Sequence, residues 1–246
     1  MQKSTEQPNP PLNGRRLLAA RLQWLGSALL SDVLDEAGFP HQVLHRSLAP
    51  LSSSAGFCGP ARCLGGGVKV AVGSEVAPGG LLTPYAMASE AVPGSVTVLS
   101  AGGFDAGAVL GGMLARDLQS LGVLGLVTDG LVRDREEINV STFPVVCAGV
   151  TPVNGARRWS IVSIGEPIAL PGQHGGGVSI RDADLILSDS DGAIVVPQAI
   201  AQDVAQMGEE LARREAEIEQ LRSGENIARL AEARTERFSH IRWLRS

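Results

Sequence analysis

The sequence has very few lysines and no cluster of basic residues. Lys3 and Lys69 are the two lysines among 246 residues, and the formal net charge at pH 7 is −5. Because contact with a nucleic-acid backbone requires a basic surface, this balance argues against direct nucleic-acid binding. It leaves open that the chain is an acidic protein partner of an RNA-processing enzyme.

Cysteine and long apolar runs are also scarce. Cys58, Cys63 and Cys147 lack the spacing of a metal-binding cluster, which favours reduced thiols and a cytoplasmic location over a Cys58–Cys63 disulfide. No uncharged stretch approaches the roughly 18–20 apolar residues of a membrane span, so we expect no membrane association.

The composition predicts a compact α/β protein, because 44% of the residues are hydrophobic and 30 are glycine. We expect a disordered arm over residues 1–14, which is polar and contains three prolines. A single α/β domain is predicted over residues 15–198. A C-terminal helical extension is predicted over residues 199–246, where charged amphipathic segments are interrupted at Ser223-Gly224.

Local patterns predict several elements within the α/β domain. Residues 15–38 are predicted to be helical in two pieces, with Ser31 as the N-cap of the second. The glycines at 65–67 are predicted to form a turn between short strands, and residues 81–90 a helix. The acidic segment 188–192 is predicted to be the turn of a hairpin between two apolar strands.

Residues 100–138 contain the pattern most indicative of chemistry. A glycine-rich loop at 101–107 precedes a predicted helix from Val109, for which Gly122 is the expected C-cap. A short apolar strand over 124–128 and an Asp-Gly turn follow. Arg133 and Asp134 come next, so we expect them at a strand end close to the start of the helix.

The residue types in this stretch suit an anionic ligand and a cation. A helix start offers unpaired backbone N–H groups, and Gly111 and Gly112 carry no side chain to block them. Arg133 can bind a carboxylate or keto oxygen with its planar guanidinium. Asp134 can hold Mg²⁺ or Mn²⁺, which often take one carboxylate and several waters. The alternative interpretation is a surface Arg–Asp pair that caps the turn.

Three other patterns are weaker. His41 and His45 are four residues apart, but the neighbouring Pro40 favours a loop over a helical metal site. The acidic turn at 188–192 is too short for an EF-hand loop. The Gly102-Gly103-x-Asp105-x-Gly107 pattern resembles a nucleotide loop, but no acidic residue suited to binding a ribose ends the next strand.

The central motif resembles that of the RraA-like family. The matching residues are Gly111-Gly112-Met113-Leu114-Ala115 and Gly122-Val123-x-Gly125-x-Val127-x-Asp129-Gly130-x-x-Arg133-Asp134. Supporting matches are Leu30-Ser31-Asp32-Val33-Leu34-Asp35, Gly59-Pro60-Ala61-Arg62, Phe143-Pro144-Val145 and Asp189-x-Asp191-Gly192-x-x-x-Val196-Pro197. The family includes 4-hydroxy-4-methyl-2-oxoglutarate / 4-carboxy-4-hydroxy-2-oxoadipate aldolases and regulators of ribonuclease E activity.

This resemblance implies an α/β fold with a β/β/α swivelling-domain core and terminal helical additions, assembled as a homotrimer or a hexamer. It implies a class II aldolase that uses Mg²⁺, Mn²⁺ or another divalent cation to release pyruvate from a 4-hydroxy-2-oxo dicarboxylic acid. Oxaloacetate decarboxylation is the expected side activity. The backbone amides of Gly111, Gly112, Met113 and Leu114 would bind the small 2-oxo acid, Arg133 its keto or enolate oxygen, and Asp134 the metal.

The sequence departs from the aldolase pattern at Gly112, where many of the aldolases carry an acidic residue. A further expectation is that the charged C-terminal helix supplies Glu215, Glu217 or Glu219 to a neighbouring subunit's site. The alternative function is a non-catalytic regulator of the ribonuclease E inhibitor type; as a group those regulators lack the metal-binding Asp that this chain has at 134. An S-adenosylmethionine methyltransferase, a label the family has often carried, is a third hypothesis.

Overall fold

The computed structural model describes residues 12–51, 56–69, 84–222 and 227–245. The helices are α1 (Leu12–Glu36), α2 (Ala86–Ser89), α3 (Gly112–Ser120), α4 (Arg135–Ser141), α5 (Ala201–Arg222) and α6 (Ile227–Glu236). The strands are β1 (Ala49–Pro50), β2 (Phe57–Val68), β3 (Val96–Ser100), β4 (Ala108–Leu110), β5 (Gly125–Thr128), β6 (Leu131–Val132), β7 (Val145–Cys147), β8 (Gly149–Val150), β9 (Trp159–Ile164), β10 (Ile168–Pro171), β11 (Gly177–Ile180), β12 (Leu185–Ser188) and β13 (Ala193–Val196).

A curved mixed sheet forms the body of the protein, in the order β1-β7-β5-β3-β2-β12-β13, with β9 also paired to β2. Strands β2, β3, β5 and β7 run parallel, and β12 and β13 extend the sheet as an antiparallel hairpin. Helices at both ends of the chain pack beside this sheet. The predicted α/β class with a swivelling-type core and terminal helices is confirmed.

A small parallel sheet of β4, β6 and β8 lies beside the main one. The sequence was predicted to be helical from Val109, but residues 108–110 form a strand and α3 begins only at Gly112. Val109 and Leu110 are buried, and β4 pairs with β6. This pairing is a long-range contact that local spacing does not reveal. The helical spacing of the apolar residues therefore placed the predicted helix start three residues too early.

The glycine run at 65–67 is part of the continuous strand β2, so the predicted turn is wrong. The strand is only shifted in register between Gly65 and Gly66, opposite β9. A methyl group on Gly66 would overlap the indole of Trp159, which is fully buried. The glycines therefore allow a large side chain to pack across the strand.

Helix α1 is in two pieces, as predicted, but the break lies at Gly26 instead of just before Ser31. Gly26 has φ +79° and ψ 163°, a conformation that favours glycine. Residues 16–36 are long and apolar enough to cross a membrane by length and composition. One face of the helix, however, packs against α5 and the β12–β13 hairpin in a shared hydrophobic core.

The hairpin at 188–192 and the helix end at Gly122 agree with the sequence predictions. Strands β12 and β13 pair antiparallel across the acidic turn, and Gly122 has φ +80° directly after α3. Only Ala86–Ser89 is helical in the described part of the segment predicted as a helix over 81–90. The predicted N-terminal arm lies almost entirely outside the described residues.

Candidate functional site

An open cleft lies where β4 leads into α3 and β6 leads into α4. It is lined by Pro84, Tyr85, Ala108, Val109, Leu110, Gly111, Met113, Leu114, Arg133, Asp134, Asn154 and Ala156. The parallel pairing of β4 with β6 brings these two strand ends together. The cleft therefore contains the residues that the sequence predicted to act together.

The N-terminus of α3 forms one wall of the cleft. Gly111 is extended, with φ −132° and ψ 174°, and the helix starts at Gly112. The amides at the start of a helix have no acceptor within it and carry the positive end of the helix dipole. The Gly112 amide donates a hydrogen bond of 3.1 Å to Oδ2 of Asp134. A carboxylate is thus already bound at this helix start.

Arg133 and Asp134 lie between β6 and α4. The Arg133 amide donates to the carbonyl of Leu110 over 3.0 Å, which ties the end of β6 to the end of β4. Asp134 is the N-cap residue of α4 and has φ +61°, a left-handed conformation that Asp tolerates better than most residues. Its carboxylate makes no capping bond to α4 and reaches the start of α3 instead.

The two side chains are close to each other and partly open to solvent. Arg133 Nε lies 3.5 Å from Asp134 Oδ2, with 35% and 37% of the two side chains exposed. Such a separation is a loose ion pair rather than a short hydrogen bond. The guanidinium and the carboxylate therefore both remain accessible to a ligand in the cleft.

Gly111 is required by its contact with this pair. A methyl group on Gly111 would lie 2.9 Å from Asp134 Oδ2 and 3.1 Å from Arg133 Nε. At Gly112 the corresponding methyl group would overlap the carboxylate of Glu137. The two consecutive glycines therefore let three charged side chains approach the start of α3.

The remaining walls were not found from the sequence. Tyr85 is exposed, and Asn154 and Ala156 lie on the loop before β9. Lys69 Nζ donates to the carbonyl of Ala156 over 2.7 Å. No local pattern relates residues 69, 85 and 154 to the Arg-Asp motif, because the fold alone brings them together.

All six predicted site residues lie at this cleft or directly against it. The Leu114 side chain is buried in the core, whereas the Met113 side chain is exposed. The acidic residues considered on the C-terminal helix do not line the cleft within one chain: Glu217 pairs with Arg213 and Glu219 with Arg222. Within the described ranges no three His, Cys, Asp or Glu side chains form a metal-ligand group.

The glycine-rich loop at 101–107 has a packing explanation. A methyl group on Gly102, which has φ +64°, would overlap the carbonyl oxygen of Gly66. The Asp129 carboxylate accepts a 2.5 Å hydrogen bond from the Ala101 amide and so anchors this loop, while burial raises the pKa of Asp129. These contacts account for Gly102 and for the anchoring of the loop without a nucleotide.

A family model described as RraA-like, Aldolase/RraA, matches residues 27–195. This range includes the Arg133-Asp134 pair, the cleft and every strand except the last residue of β13, and it excludes α5 and α6.

The chain is also similar to individual proteins. A protein of Halalkalibacterium halodurans named "Putative 4-hydroxy-4-methyl-2-oxoglutarate aldolase" is 34% identical over 177 residues, which is 72% of this chain and 75% of that protein. Protein DlpA of Legionella pneumophila is 29% identical over 72% of this chain, but the match spans 27% of DlpA. The crystal structure of Streptomyces coelicolor RraAS2, an unusual member of the RNase ES inhibitor RraA protein family, has a TM-score of 0.70 at 26% identity, covering 86% of this chain and 98% of that one.

Proposed function

The chain belongs to the RraA-like family, and we propose that it is a divalent-metal-dependent carbon–carbon lyase. Its substrate would be a 4-hydroxy-2-oxo dicarboxylic acid, from which it releases pyruvate. The observation that carries this proposal is the meeting of Arg133, Asp134 and the amides of α3 in one open cleft. Decarboxylation of oxaloacetate is the proposed side activity, because it leaves the same pyruvate enolate.

The 2-oxo acid end of the substrate suits the start of α3. Its carboxylate would accept hydrogen bonds from the amides of Met113 and Leu114, which lie in the first turn of the helix and face no acceptor within it. Gly111 keeps this approach free of a side chain. Arg133, which lies beside Gly111 at the helix start, would donate to the keto oxygen.

The donor set fits a hard divalent cation. Mg²⁺ commonly binds one or two protein carboxylates and keeps several waters, so a site without three protein ligands is an ordinary one for this ion. Asp134 would hold the cation, and the cleft has room for its waters. When bound, the cation would act as a Lewis acid towards the substrate's oxygens.

The reaction requires the bond between C3 and C4 of the substrate to break. The 4-hydroxyl proton leaves to a base, C4 becomes a carbonyl carbon, and the electron pair of the broken bond stays with the pyruvate fragment as its enolate. Arg133 would stabilise the negative charge on that enolate oxygen. Protonation at the methylene carbon then gives pyruvate. Neither step needs a Schiff base, in agreement with the scarcity of lysine.

The second carboxylate of the substrate would lie near Lys69. The Lys69 ammonium donates a hydrogen bond to the carbonyl of Ala156, and Ala156 lines the cleft. Arg158 Nη1 also approaches that loop, at 3.4 Å from the carbonyl of Asn154. Two cations that contact the cleft residues Ala156 and Asn154 favour a dicarboxylic substrate over a monocarboxylic one.

The experiment is a pyruvate-release assay with 4-hydroxy-4-methyl-2-oxoglutarate and with oxaloacetate. The wild-type protein and Asp134→Asn are each assayed with Mg²⁺ and with a chelator. Pyruvate that forms only with Mg²⁺ and is lost in the variant supports the lyase. Equal, negligible rates in every condition contradict it for these substrates.

A second candidate is a non-catalytic regulator that binds an RNA-processing enzyme. The structural similarity to RraAS2, at 26% identity, favours this function. If no 2-oxo acid is cleaved, the regulator becomes the leading hypothesis, and inhibition of a purified ribonuclease of the E type by this chain would test it.

We also propose that the protein assembles as a homotrimer or as a hexamer.

A further inference from the structure

Glu137 folds over the first turn of α3, next to the Arg133-Asp134 pair. It lies in the first turn of α4, three residues after Asp134. Its carboxylate fills the space beside Gly112 that a side chain at this position would occupy, with Cδ 2.5 Å and Cγ 2.9 Å from the position of a methyl carbon on Gly112. No residue larger than glycine fits at 112 while Glu137 keeps this place.

Arg116 holds Glu137 in position. It lies one helical turn after Gly112 on α3, and its Nη1 is 2.5 Å from Oε1 of Glu137. The two side chains are 54% and 38% exposed, and a surface ion pair of this kind contributes about 0–1 kcal/mol to stability. The pair therefore adds little to stability, but it fixes where the carboxylate lies.

Two carboxylates thus approach Gly112 from different sides. Asp134 accepts the hydrogen bond of the Gly112 amide, and Glu137 lies against its α-carbon. Each carboxylate has an arginine beside it, Arg133 for Asp134 and Arg116 for Glu137. Like charges this close repel each other unless cations compensate them. A divalent cation at Asp134 would supply additional compensation.

We propose that Glu137 is a positioning residue for the water around the cation held by Asp134. The inference rests on the proposed function, since it assumes that a cation binds at Asp134. Glu137 would accept hydrogen bonds from that water and keep it oriented in the cleft. Gly112 is the residue that leaves room for this, and Arg116 fixes the carboxylate. Hydrogen-bond partners outside the direct ligands typically change metal affinity or activity 10–100-fold when they are removed.

The test measures Mn²⁺ binding in the absence of substrate, by electron paramagnetic resonance of free Mn²⁺ and by calorimetry. The variants are Glu137→Gln, which keeps the shape but removes the charge, and the matched control Glu136→Gln. Glu136 is the exposed preceding residue on the same helix. We expect the Kd for Mn²⁺ to rise about 10-fold or more in Glu137→Gln, and to stay within twofold of wild type in Glu136→Gln.

Gly112→Ala provides a second variant, because it keeps the carboxylate but displaces it. It should weaken Mn²⁺ binding in the same direction as Glu137→Gln, with melting temperatures recorded for every variant to show that each is folded. Wild-type affinity in Glu137→Gln, together with loss of binding in Asp134→Asn, overturns the role of Glu137 and leaves the proposed function intact. Binding that is absent in wild type, or unaffected by Asp134→Asn, overturns the metal site itself and the inference with it.

Discussion

Asp189 caps the second half of α1 from the far end of the chain, through two hydrogen bonds to Ser27. Its Oδ2 accepts from the Ser27 amide and its Oδ1 from the Ser27 hydroxyl, both over 2.7 Å. Ser27 follows the break at Gly26, so its amide is at a new helix start that lacks an internal acceptor. The same carboxylate accepts from the Asp191 amide, which closes the β12–β13 turn.

This contact predicts that Asp189 contributes more to stability than its neighbour Asp191. Loss of a helix N-cap typically costs about 0.5–2 kcal/mol, so we expect Asp189→Ala to lower the free energy of unfolding by about that amount. Asp191→Ala is the control, because its exposed side chain leaves the backbone bond to Asp189 in place. Urea titrations of both variants measure the difference. Equal free energies of unfolding in the two variants would show that the cap does not stabilise the protein.

Arg133 is expected to act through its planar, forked donors and not only through its charge. Arg133→Lys keeps the charge but loses the fork, so we predict a decrease in kcat/KM for pyruvate release of about 10²-fold. Steady-state kinetics with oxaloacetate and Mg²⁺ measure the effect. The control is Arg135→Lys, an exposed residue at the start of α4, which should remain within twofold of wild type. An equally mild effect at both positions would show that Arg133 has no role in the reaction.

Lys69 is expected to distinguish substrates by their second carboxylate. Lys69→Met should raise KM for the 4-hydroxy-2-oxo dicarboxylic acid about 10-fold, which corresponds to one charge-assisted hydrogen bond worth about 1.4 kcal/mol. The same variant should leave KM unchanged for a 4-hydroxy-2-oxo acid that lacks this carboxylate. Pyruvate release from the two substrates gives the comparison. A parallel change in both values would show that Lys69 supports only the loop at Ala156.

The three cysteines are free, as their sequence spacing suggested, and the structure shows that all three are buried. Burial raises the pKa of Cys58 to about 12, and burial together with Asp182 and Asp184 raises that of Cys63 to about 12. Because the thiolate is the reactive form, we predict negligible reaction of the native protein with a thiol reagent at pH 8. Denaturation should release three reactive thiols. Rapid labelling of the native protein would show that these side chains are accessible.

Local signals identified the elements whose determinants lie within a few residues of each other. Gly122 ends α3 in the left-handed conformation, and the Asp-Gly turn places Arg133 and Asp134 after β6. The central site motif could therefore be predicted from residues 100–138. Its arrangement around a cleft could not, because Tyr85, Asn154 and Ala156 reach it through the topology of the sheets.

The wrong predictions share one cause, which is contact with residues that are distant in the sequence. Ser31 has the residue type of an N-cap, but the helix restarts at Ser27 because Asp189 supplies a carboxylate from 162 residues away. The segment 108–110 has helical spacing, yet it pairs with β6. In both cases a distant partner overrides a local preference, which a single sequence does not reveal.

The glycine run at 65–67 allows a local explanation, a flexible turn, to be tested against a long-range one, the packing of Trp159. A methyl group on Gly66 would overlap the ring of Trp159, whose Nε1 is fixed by a 2.9 Å hydrogen bond to the carbonyl of Ala101. A methyl group on Gly67 would meet nothing closer than 3.4 Å, at Cγ1 of Val162. Gly66→Ala should therefore lower the free energy of unfolding by about 1–3 kcal/mol through overpacking.

Gly67→Ala is the matched control and should be neutral or slightly stabilising, because alanine loses less backbone entropy than glycine on folding. Urea titration measures both free energies, and the fluorescence of the protein should report any movement of Trp159 in Gly66→Ala. If the run acted as a flexible turn, the two substitutions would have similar effects. A large difference between them would show that the indole, and not a turn, requires glycine in this strand.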